Sequence, residues 1–292
     1  AMPVNAFPAT ITVAEDALFS FRGGDAASVA DRDDNLVSVR LTVTKGTLAV
    51  TLGTTGATIS AGANTSATLT LAGTQPQINA ALATLTYQGT LDYNGSDTLT
   101  VVSTDALGAT DTDAVAITVT AVNDSPVNTV PGAQVVAEDT ALVFSGAATI
   151  SVNDVDGNLT STRLTVTNGT LAVSLTGGAT ISAGANNSAT MTLTGTQTQI
   201  NAALATLVYQ GKLDYNGSDT LTVVSTDGAT PALADTDAVA ITVTVVSDPP
   251  VISSTSVSGN VINLRGTAEP LSVIRIYVDL TLQALASRIG FD

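Results

Sequence analysis

The sequence predicts an all-β protein made of tandem antiparallel β-sandwiches, each with one short helix. Three observations support this prediction: an internal repeat, short segments in which apolar residues alternate with Thr, and turn residues between those segments. The repeat is clearest where LTVTKGTLAV at 41–50 returns as LTVTNGTLAV at 164–173, an offset of 123 residues. That period is typical of an independent domain and too long for a solenoid unit.

The repeat also predicts the domain boundaries. We expect one sandwich over residues 1–124, a second over 125–248, and a remainder of different sequence over 249–292. The junction reads Val122-Asn123-Asp124-Ser125-Pro126. Because Pro has no N–H and because Asn and Asp bond to nearby backbone, we interpret it as a stiff, acidic linker.

Alternation with period 2 predicts seven strands in the first repeat. They cover residues 10–13, 18–21, 36–44, 47–52, 67–71, 98–102 and 114–120. Lys45-Gly46, Asn94-Gly95 and residues 53–56 are predicted turns between strands. The aromatic residues Phe19, Phe21, Tyr87 and Tyr93 are interpreted as core or corner residues.

One segment of each repeat breaks the strand pattern. Thr74 and Gln77 have the spacing of a capping box, and an apolar residue recurs behind them at helical spacing. The stripe is Ile78, Leu82 and Leu85 in the first repeat, and Ile200, Leu204 and Leu207 after Thr196 in the second. We therefore expect a short helix that closes one edge of each sandwich.

Composition excludes several classes of function. The formal net charge is −16 although only 12% of the residues are charged, which disfavours nucleic acid and anionic membranes as partners. The absence of His and Cys removes the usual general base and thiolate chemistry, and no apolar run is long enough to span a membrane. We expect no enzyme; a glycoside hydrolase with paired carboxylates and an ice-binding surface with paired Thr residues are remote alternatives.

The acidic residues cluster in loops that lack Lys or Arg partners. Close carboxylate pairs repel by roughly 3 kcal/mol at an effective dielectric near 20, so a cation is expected to neutralise them. Oxygen-rich, irregular loop sites suit Ca²⁺, which takes about 6 to 8 oxygen ligands. For any single Asp, the alternative of a solvated loop tip stays open.

The arrangement of these acids resembles the cadherin-like repeats of large bacterial surface adhesins of the RTX, type I-secreted kind, and more distantly cadherin ectodomains. The resemblance rests on Glu15, the Asp31-x-Asp33 loop, Leu91-Asp92-Tyr93-Asn94, Asp105 and the Asn123-Asp124 linker, and on their counterparts in the second repeat. In that family the ion lies between consecutive domains, with ligands from both. The departures are Asn94 where the family has Glu, and Ala121 and Ser125 in the linker.

The resemblance implies three sets of Ca²⁺ ligands. The first junction set is Glu15, Asp92, Asn123, Asp124, Asp154, Asp156 and Asp227. Asp31, Asp33 and Asp105 form a set at the start of the first repeat, and Glu138, Asp214 and Asp248 form a set at the second junction.

The remainder at 249–292 resembles the opening strands of a bacterial Ig-like domain. Residues 251–252, 261–270 and 273–278 carry the strand pattern, and residues 282–292 turn helix-like. We expect a partial domain or a truncated tail.

The resemblance implies a non-catalytic, calcium-rigidified stalk or extender of a bacterial cell-surface adhesin, which is extracellular and supports adhesion or biofilm formation. Its partners would be neighbouring repeats of the same chain and a glycan or protein on a surface. The alternative is that these repeats are themselves the module that binds this ligand.

Overall fold

A computed structural model of the chain describes residues 1–247, 249–258 and 261–267. The chain divides into two compact units, Ala1–Asp124 and Ser125–Asp292. Each unit is an all-β sandwich with one short α-helix, so the predicted fold class is confirmed. We call them unit 1 and unit 2.

The elements of unit 1 follow the chain in a simple order. They are β1 (Val4–Ala6), β2 (Thr10–Ala14), β3 (Leu18–Ser20), β4 (Ser28–Ala30), β5 (Leu36–Thr42), β6 (Gly46–Ala49), β7 (Thr58–Gly62), β8 (Thr68–Ala72), α1 (Gln75–Leu82), β9 (Thr86–Gly89), β10 (Gly95–Asp105) and β11 (Thr110–Thr120). A short 3₁₀ turn, Gly23–Asp25, precedes β4.

Unit 2 repeats this order and ends with an additional hairpin. Its elements are β12 (Val127–Thr129), β13 (Gln134–Ala137), β14 (Ala141–Val143), β15 (Ser151–Asn153), β16 (Leu159–Thr165), β17 (Gly169–Ala172), β18 (Thr180–Gly184), β19 (Thr190–Thr194), α2 (Gln197–Leu204), β20 (Val208–Gly211), β21 (Gly217–Asp227), β22 (Ala234–Thr244), β23 (Val251–Ser258) and β24 (Val261–Thr267). Its 3₁₀ turn is Gly146–Ala148.

Each unit contains a large, a small and a two-stranded sheet. The large sheet has the order β2-β11-β10-β5-β8-β7 in unit 1 and β13-β22-β21-β16-β19-β18 in unit 2. The small sheets are β3-β9-β6 and β14-β20-β17, and the pairs β1-β4 and β12-β15 stand beside them. Contrary to a purely antiparallel sandwich, β2 pairs parallel to β11, and β13 pairs parallel to β22. No hairpin connects these edge strands to their partners, so antiparallel pairing is not imposed by a tight turn.

Residues from both sheets share one core in each unit. In unit 1, Leu41 and Leu99 of the large sheet are fully buried in the same cluster as Leu48 and Tyr87 of the small sheet. Phe21 lies in this cluster, while Phe19 and Tyr93 pack partly buried against it, as predicted for core or corner residues. The apolar residues of the alternating sequence pattern therefore face the core, and the residues between them lie on the outer faces.

The helices begin at the predicted capping boxes. The Thr74 N–H donates to Gln77 Oε1 at 2.9 Å, and Thr196 and Gln199 repeat this contact in unit 2. Helix α1 ends at Leu82, so Leu85 is buried in the core but lies beyond the helix, contrary to the predicted stripe. The same correction applies to Leu207 after α2.

Helix α1 covers a strand edge, and it does so through an amide side chain. Asn79 Oδ1 accepts from the Val29 N–H at 2.8 Å, and Asn79 Nδ2 donates to the Val29 carbonyl at 2.9 Å. This pair of bonds replaces a neighbouring strand beside β4. Asn201 makes the same two bonds to Val152 of unit 2.

Four strands of unit 1 were not predicted: β1, β4, β7 and β9. Each has only three to five residues with a single large apolar residue among them, so no alternation can be recognised. The predicted strands 98–102 and 114–120 are in fact the two long strands β10 and β11.

A buried carboxylate joins the two sheets of each unit. Asp97 Oδ1 accepts from the N–H groups of Thr44 and Thr98 and from the Thr44 hydroxyl, at 2.7 to 3.0 Å. Its Oδ2 accepts from the Lys45 N–H at 2.9 Å and from the Tyr87 hydroxyl at 3.0 Å. Burial opposes the charge, but these bonds outweigh it and lower the pKa of Asp97 below its ordinary value. Burial and the neighbouring Asp97 carboxylate raise the pKa of Tyr87.

The remainder begins as a hairpin in which β23 pairs antiparallel with β24. The residues predicted as a strand at 273–278 and as a helix-like tail at 282–292 lie outside the described residues, and so does Asp248. Among the described residues, no helix is both long and apolar enough to cross a membrane.

Candidate metal-binding poles

Each unit has a cluster of acidic and amide residues at either end. Strands β10 and β11 each contain 11 residues and run the length of unit 1, which is about 35 Å at 3.3 Å per residue. In each unit, the end at which the chain enters the unit is called the amino pole. The end at which the chain leaves the unit is called the carboxyl pole. The amino pole consists of Asp31, Asp33, Asn35 and Asp105 in unit 1 and of Asp154, Asp156, Asn158 and Asp227 in unit 2. The carboxyl pole consists of Glu15, Asp16, Asp92, Asn94 and Asp124 in unit 1 and of Glu138, Asp139, Asp214 and Asn216 in unit 2.

The amino pole of unit 1 is built around Asp31, which is only 5% exposed. Its Oδ1 accepts from the Asp33 N–H at 3.1 Å, and its own N–H donates to Gln75 Oε1 at 2.6 Å. Its Oδ2 is buried and has no hydrogen-bond partner among the described residues, and the same holds for Asn35 Oδ1. Asp33 forms an ion pair with the amino group of Ala1.

Asp154 repeats this arrangement in unit 2 at 4% exposure. Its Oδ1 accepts from the Asp156 N–H at 3.1 Å, its N–H donates to Gln197 Oε1 at 2.7 Å, and its buried Oδ2 finds no partner within the described chain. Burial, together with the charge of Asp156, raises the pKa of Asp154 above its ordinary value despite the hydrogen bonds that it accepts. This carboxylate therefore lies where an anion is poorly stabilised by the protein alone.

The loops that carry these two carboxylates differ in sequence between the units. Arg32 and Asp34 of unit 1 are replaced by Val155 and Gly157 in unit 2. The buried carboxylate and its unpartnered oxygen are the same in both. The unpartnered oxygen is thus independent of the neighbouring loop residues.

Asp105 and Asp227 end the long strands β10 and β21 at the amino poles. Asp105 Oδ1 accepts from the N–H groups of Leu107 and Ala109, both at 2.8 Å. Asp227 Oδ1 accepts from the Ala229 and Leu233 N–H groups at 3.2 and 2.8 Å. One carboxylate oxygen of each predicted ligand therefore accepts hydrogen bonds from the hairpin loop that follows it.

The carboxyl pole of unit 1 is built around Glu15, which is 4% exposed. Its Oε1 accepts from the Val122 N–H at 2.6 Å, and Asn94 Nδ2 donates to its Oε2 at 3.5 Å. Glu15 thereby holds the chain where it leaves the last strand. Glu138 makes the same contacts to Val246 and Asn216, at 2.6 and 3.3 Å.

Three further carboxylates meet beside Glu15. Asp16, Asp92 and Asp124 each bring one oxygen to within 4.8 Å of the other two. The Asp92 N–H donates to Asp16 Oδ1 at 3.2 Å, and both residues have left-handed backbone conformations, with φ of 56° and 58°. These turns bring the two side chains to the same side of the pole.

Asp16 was not among the predicted ligands, although it lies with the predicted Asp92 and Asp124. The available signal was its position directly after Glu15 and its recurrence as Asp139 after Glu138. In unit 2 the Asp214 N–H donates to Asp139 Oδ1 at 3.1 Å, again with positive φ at both residues.

Within each unit, every described predicted ligand therefore lies at one of the two poles. Glu15, Asp92 and Asp124 lie at the carboxyl pole of unit 1, and the Asn123 amide donates to the Asp124 carbonyl at 3.2 Å. The remaining described ligands lie at the amino pole of unit 1 (Asp31, Asp33, Asp105), the amino pole of unit 2 (Asp154, Asp156, Asp227) and the carboxyl pole of unit 2 (Glu138, Asp214). Their role as Ca²⁺ ligands stays a prediction.

The donor set fits a hard divalent cation. All candidate side-chain donors are carboxylate or amide oxygens, and the chain contains neither His nor Cys for a softer metal. At the amino poles, a buried oxygen without a partner is the kind of ligand that a cation would satisfy.

Comparison with known proteins gives one match to a family model. The Protein GAMETE EXPRESSED 2 domain matches residues 28–114, which lie within unit 1. No curated protein matches the chain.

Among solved structures, the chain is similar to cadherin extracellular domains. It is 15% identical to protocadherin gamma B2 extracellular cadherin domains 1-5, with a TM-score of 0.36, over 87% of this chain and 41% of that one. It is 12% identical to human CDH23 EC21-23, with a TM-score of 0.37, over 92% and 81%. The chain thus spans less than half of the protocadherin structure. Because both TM-scores are below 0.5, the fold assignment rests on the sheets and registers of the two units themselves.

Proposed function

We propose that the chain forms two tandem, calcium-stiffened stalk repeats of an extracellular adhesion protein, with no catalytic role. The bacterial cell surface and a contribution to biofilm formation belong to the same proposal, and they rest on the resemblance of the motifs around Glu15, Asp92 and Asp124. The proposed partners of each repeat are the neighbouring repeats of the same chain. The proposed ligand of the adhesion protein is a glycan or protein on a surface.

One observation carries the proposal: the buried, unpartnered carboxylate oxygen at the amino pole of both units. Asp31 and Asp154 are each at most 5% exposed, and each leaves Oδ2 without a partner among the described residues. A buried carboxylate oxygen without a partner lowers the stability of the folded state. A cation bound at the pole offsets this cost, which gives the two carboxylates a reason to be buried.

Chain connectivity supports a role for these poles in joining repeats. The chain leaves unit 1 at its carboxyl pole, where the Val122 N–H is bound by Glu15. It enters unit 2 along β12, which pairs with β15, the strand directly before Asp154. We propose that consecutive repeats share their calcium ions between such poles, with fewer ions than a cadherin junction because Asn94, Ala121 and Ser125 replace acidic or amide ligands.

Shared ions would stiffen the array through electrostatics. Without a cation, the carboxylates of one joint repel each other by several kcal/mol at short range, and a linker of a few residues buries little apolar area. With it, ligands from two repeats close on one centre. Extracellular calcium modules bind at about 10⁻⁴ to 10⁻³ M, so the millimolar calcium outside a cell would keep the stalk stiff.

Small-angle scattering of the whole chain tests this function. We expect the maximum dimension and the spread of interdomain angles to differ between millimolar calcium and chelator, while circular dichroism shows that both units stay folded. The matched variant is Asp154→Asn with Asp156→Asn, which removes two proposed ligands without changing the number of residues in the loop. This variant should give the chelator profile at every calcium concentration. A wild-type profile that is unchanged by calcium would refute the stiffening.

A further inference from the structure

Charged side chains are unevenly distributed along each repeat. Unit 1 has no Asp, Glu, Lys or Arg from residue 46 to residue 91, and unit 2 has none from 164 to 211. Each uncharged segment forms the same elements: two strands of the small sheet, the last two strands of the large sheet, and the helix. One side of each unit is therefore uncharged in a protein whose formal net charge is −16.

This uncharged side ends in an open strand edge. β7 and β18 are the last strands of the two large sheets, and both have the sequence TISAG. Four of their five residues are exposed in each unit. Within the described residues, no strand pairs with the outer edge of either.

The opposite edge of the large sheet is different. It is formed by β2 in unit 1, which runs directly into Glu15 and Asp16, and by β13 in unit 2, which runs into Glu138 and Asp139. A second chain that approached this edge would meet the acidic carboxyl pole. Of the two edges of each large sheet, the β7 or β18 edge is the one that has no carboxylate on the strand or next to it.

Edge strands of soluble proteins are usually protected by charges, by Pro or by bulges. β7 and β18 have neither charge nor Pro, and their protection is a single bulge, between Ile59 and Ala61 in unit 1 and between Ile181 and Ala183 in unit 2. At the bulge, the Ser60 hydroxyl donates to the Thr70 carbonyl at 3.4 Å. The bulge leaves short stretches of edge that can pair.

We propose that β7 and β18 are the edges through which two copies of this chain associate side by side, by strand addition. Both edges have the same sequence, so two copies can meet through a two-fold, isologous contact. Charge favours this occupant, because two strongly acidic copies repel each other wherever carboxylates face one another. The uncharged edge is where that repulsion is weakest.

The contact is expected to be weak at each edge. A five-residue strand interrupted by a bulge offers few main-chain hydrogen bonds and a small area. Association should strengthen with added salt, which screens the remaining repulsion over a Debye length of about 8 Å at physiological ionic strength. The proposal does not depend on calcium binding at the poles.

Sedimentation velocity of the whole chain, from micromolar to millimolar protein in chelator, tests the proposal. We expect the weight-average mass to rise from the monomer toward twice that value, and to rise at lower protein concentration in high salt. Ala61→Lys with Ala183→Lys places one Lys on each edge and should keep the chain monomeric. Ala116→Lys with Ala240→Lys makes the same change at exposed positions inside the large sheet and should associate like the wild type.

Circular dichroism of both variants checks that they fold. If an edge variant does not fold, Thr58→Lys with Thr180→Lys replaces it. The proposal is overturned if the wild type stays monomeric throughout, or if the edge variants associate as strongly as the wild type and the interior variants.

Discussion

Units 1 and 2 share the same backbone plan but differ at one buried polar site. In unit 2 the Ser225 hydroxyl donates to Asn128 Oδ1 at 2.5 Å, and the Thr162 and Ser225 hydroxyl oxygens are 2.9 Å apart. Unit 1 has Val39 at the position of Thr162, and there Ser103 Oγ and Asn5 Oδ1 lack partners among the described residues. Of the three equivalent positions in this site, only the one occupied by Val39 and Thr162 differs between the units.

The amino poles show the opposite behaviour. Asp31 Oδ2 and Asp154 Oδ2 are unpartnered in both units, although the loops around them differ. The unpartnered hydroxyl of Ser103 has a bonded counterpart in unit 2, so we expect it to affect only the stability of unit 1. The unsatisfied carboxylate oxygen that both copies keep is the feature that the proposed calcium sites would explain.

The largest effect is expected at the buried carboxylates that join the sheets. Asp97→Asn replaces an acceptor oxygen by an NH₂ group among the N–H and O–H donors around it, and Asp219→Asn does so in unit 2. We expect each to lower the free energy of unfolding of its own unit by about 2 to 4 kcal/mol. Hydrogen exchange measured by mass spectrometry reports the two units separately. If one variant lost protection from hydrogen exchange equally in both units, the prediction that each substitution destabilises its own unit would be wrong.

The lowered pKa of Asp97 also predicts a pH dependence. Its contribution to stability is fully present above the unfolded pKa of about 3.9 and is lost as the pH falls through the lower folded value. Unit 1 of the wild type should therefore lose stability below about pH 4 more steeply than unit 1 of Asp97→Asn. Acid denaturation curves that are parallel for the two proteins would disprove this assignment.

At the amino poles we expect a smaller effect on the free energy of unfolding, with opposite signs in chelator and in calcium. Asp31→Asn and Asp154→Asn remove a buried, incompletely paired charge, so in chelator each should stabilise its own unit by about 1 kcal/mol. In millimolar calcium each should be less stable than the wild type, because the ligand is gone. Thermal unfolding in both buffers measures the two signs. Destabilisation of the variants in both buffers would mean that these carboxylates stabilise the calcium-free protein.

The difference between Val39 and Thr162 predicts a reciprocal exchange. Thr162→Val should cost unit 2 about 1 kcal/mol, and Val39→Thr should stabilise unit 1 by about 0.5 to 1.5 kcal/mol by giving Ser103 a partner. The two substitutions are nearly isosteric and lie at equivalent positions, so each is the control for the other. Hydrogen exchange of the two units provides the measurement, and effects of the same sign would contradict the account.

The smallest effect concerns the helices. Pro76 lies in the first turn of α1, whereas α2 has Thr198 at that position. Because Pro fits the first turn and restricts the unfolded chain, Thr198→Pro should stabilise unit 2 by about 0.4 to 1 kcal/mol. Chemical denaturation of the variant and the wild type checks the gain.

Much of the fold was accessible from the sequence because each repeat has long alternating segments. β10 and β11 were recognised in part, and the helices were recognised from the capping boxes at Thr74 and Thr196. The short strands β1 and β4 were missed because one large apolar residue in three does not establish a period. The parallel pairing of β2 with β11 was missed because it depends on a contact between distant parts of the chain.

For the candidate site, the sequence identified most of the acidic residues but not their different uses. Asp97 and Asp105 look alike in the sequence, but Asp97 is enclosed by donors from both sheets, and Asp105 closes a hairpin loop at a pole. Asp16 was missed because its role depends on the left-handed turns that bring it to Asp92. Burial, which distinguishes Asp31 from a solvated loop tip, is a property of the folded unit.

Calorimetric titration of the whole chain with Ca²⁺ shows directly whether the acidic poles bind calcium. We expect saturable binding with dissociation constants of about 10⁻⁴ to 10⁻³ M, and fewer sites in Asp31→Asn, in Asp154→Asn and in the double variant. Thr98→Asn, a substitution at an exposed residue that belongs to neither pole, should bind like the wild type. A stoichiometry that is unchanged in the double variant, or the absence of binding to the wild type at millimolar calcium, would contradict this expectation.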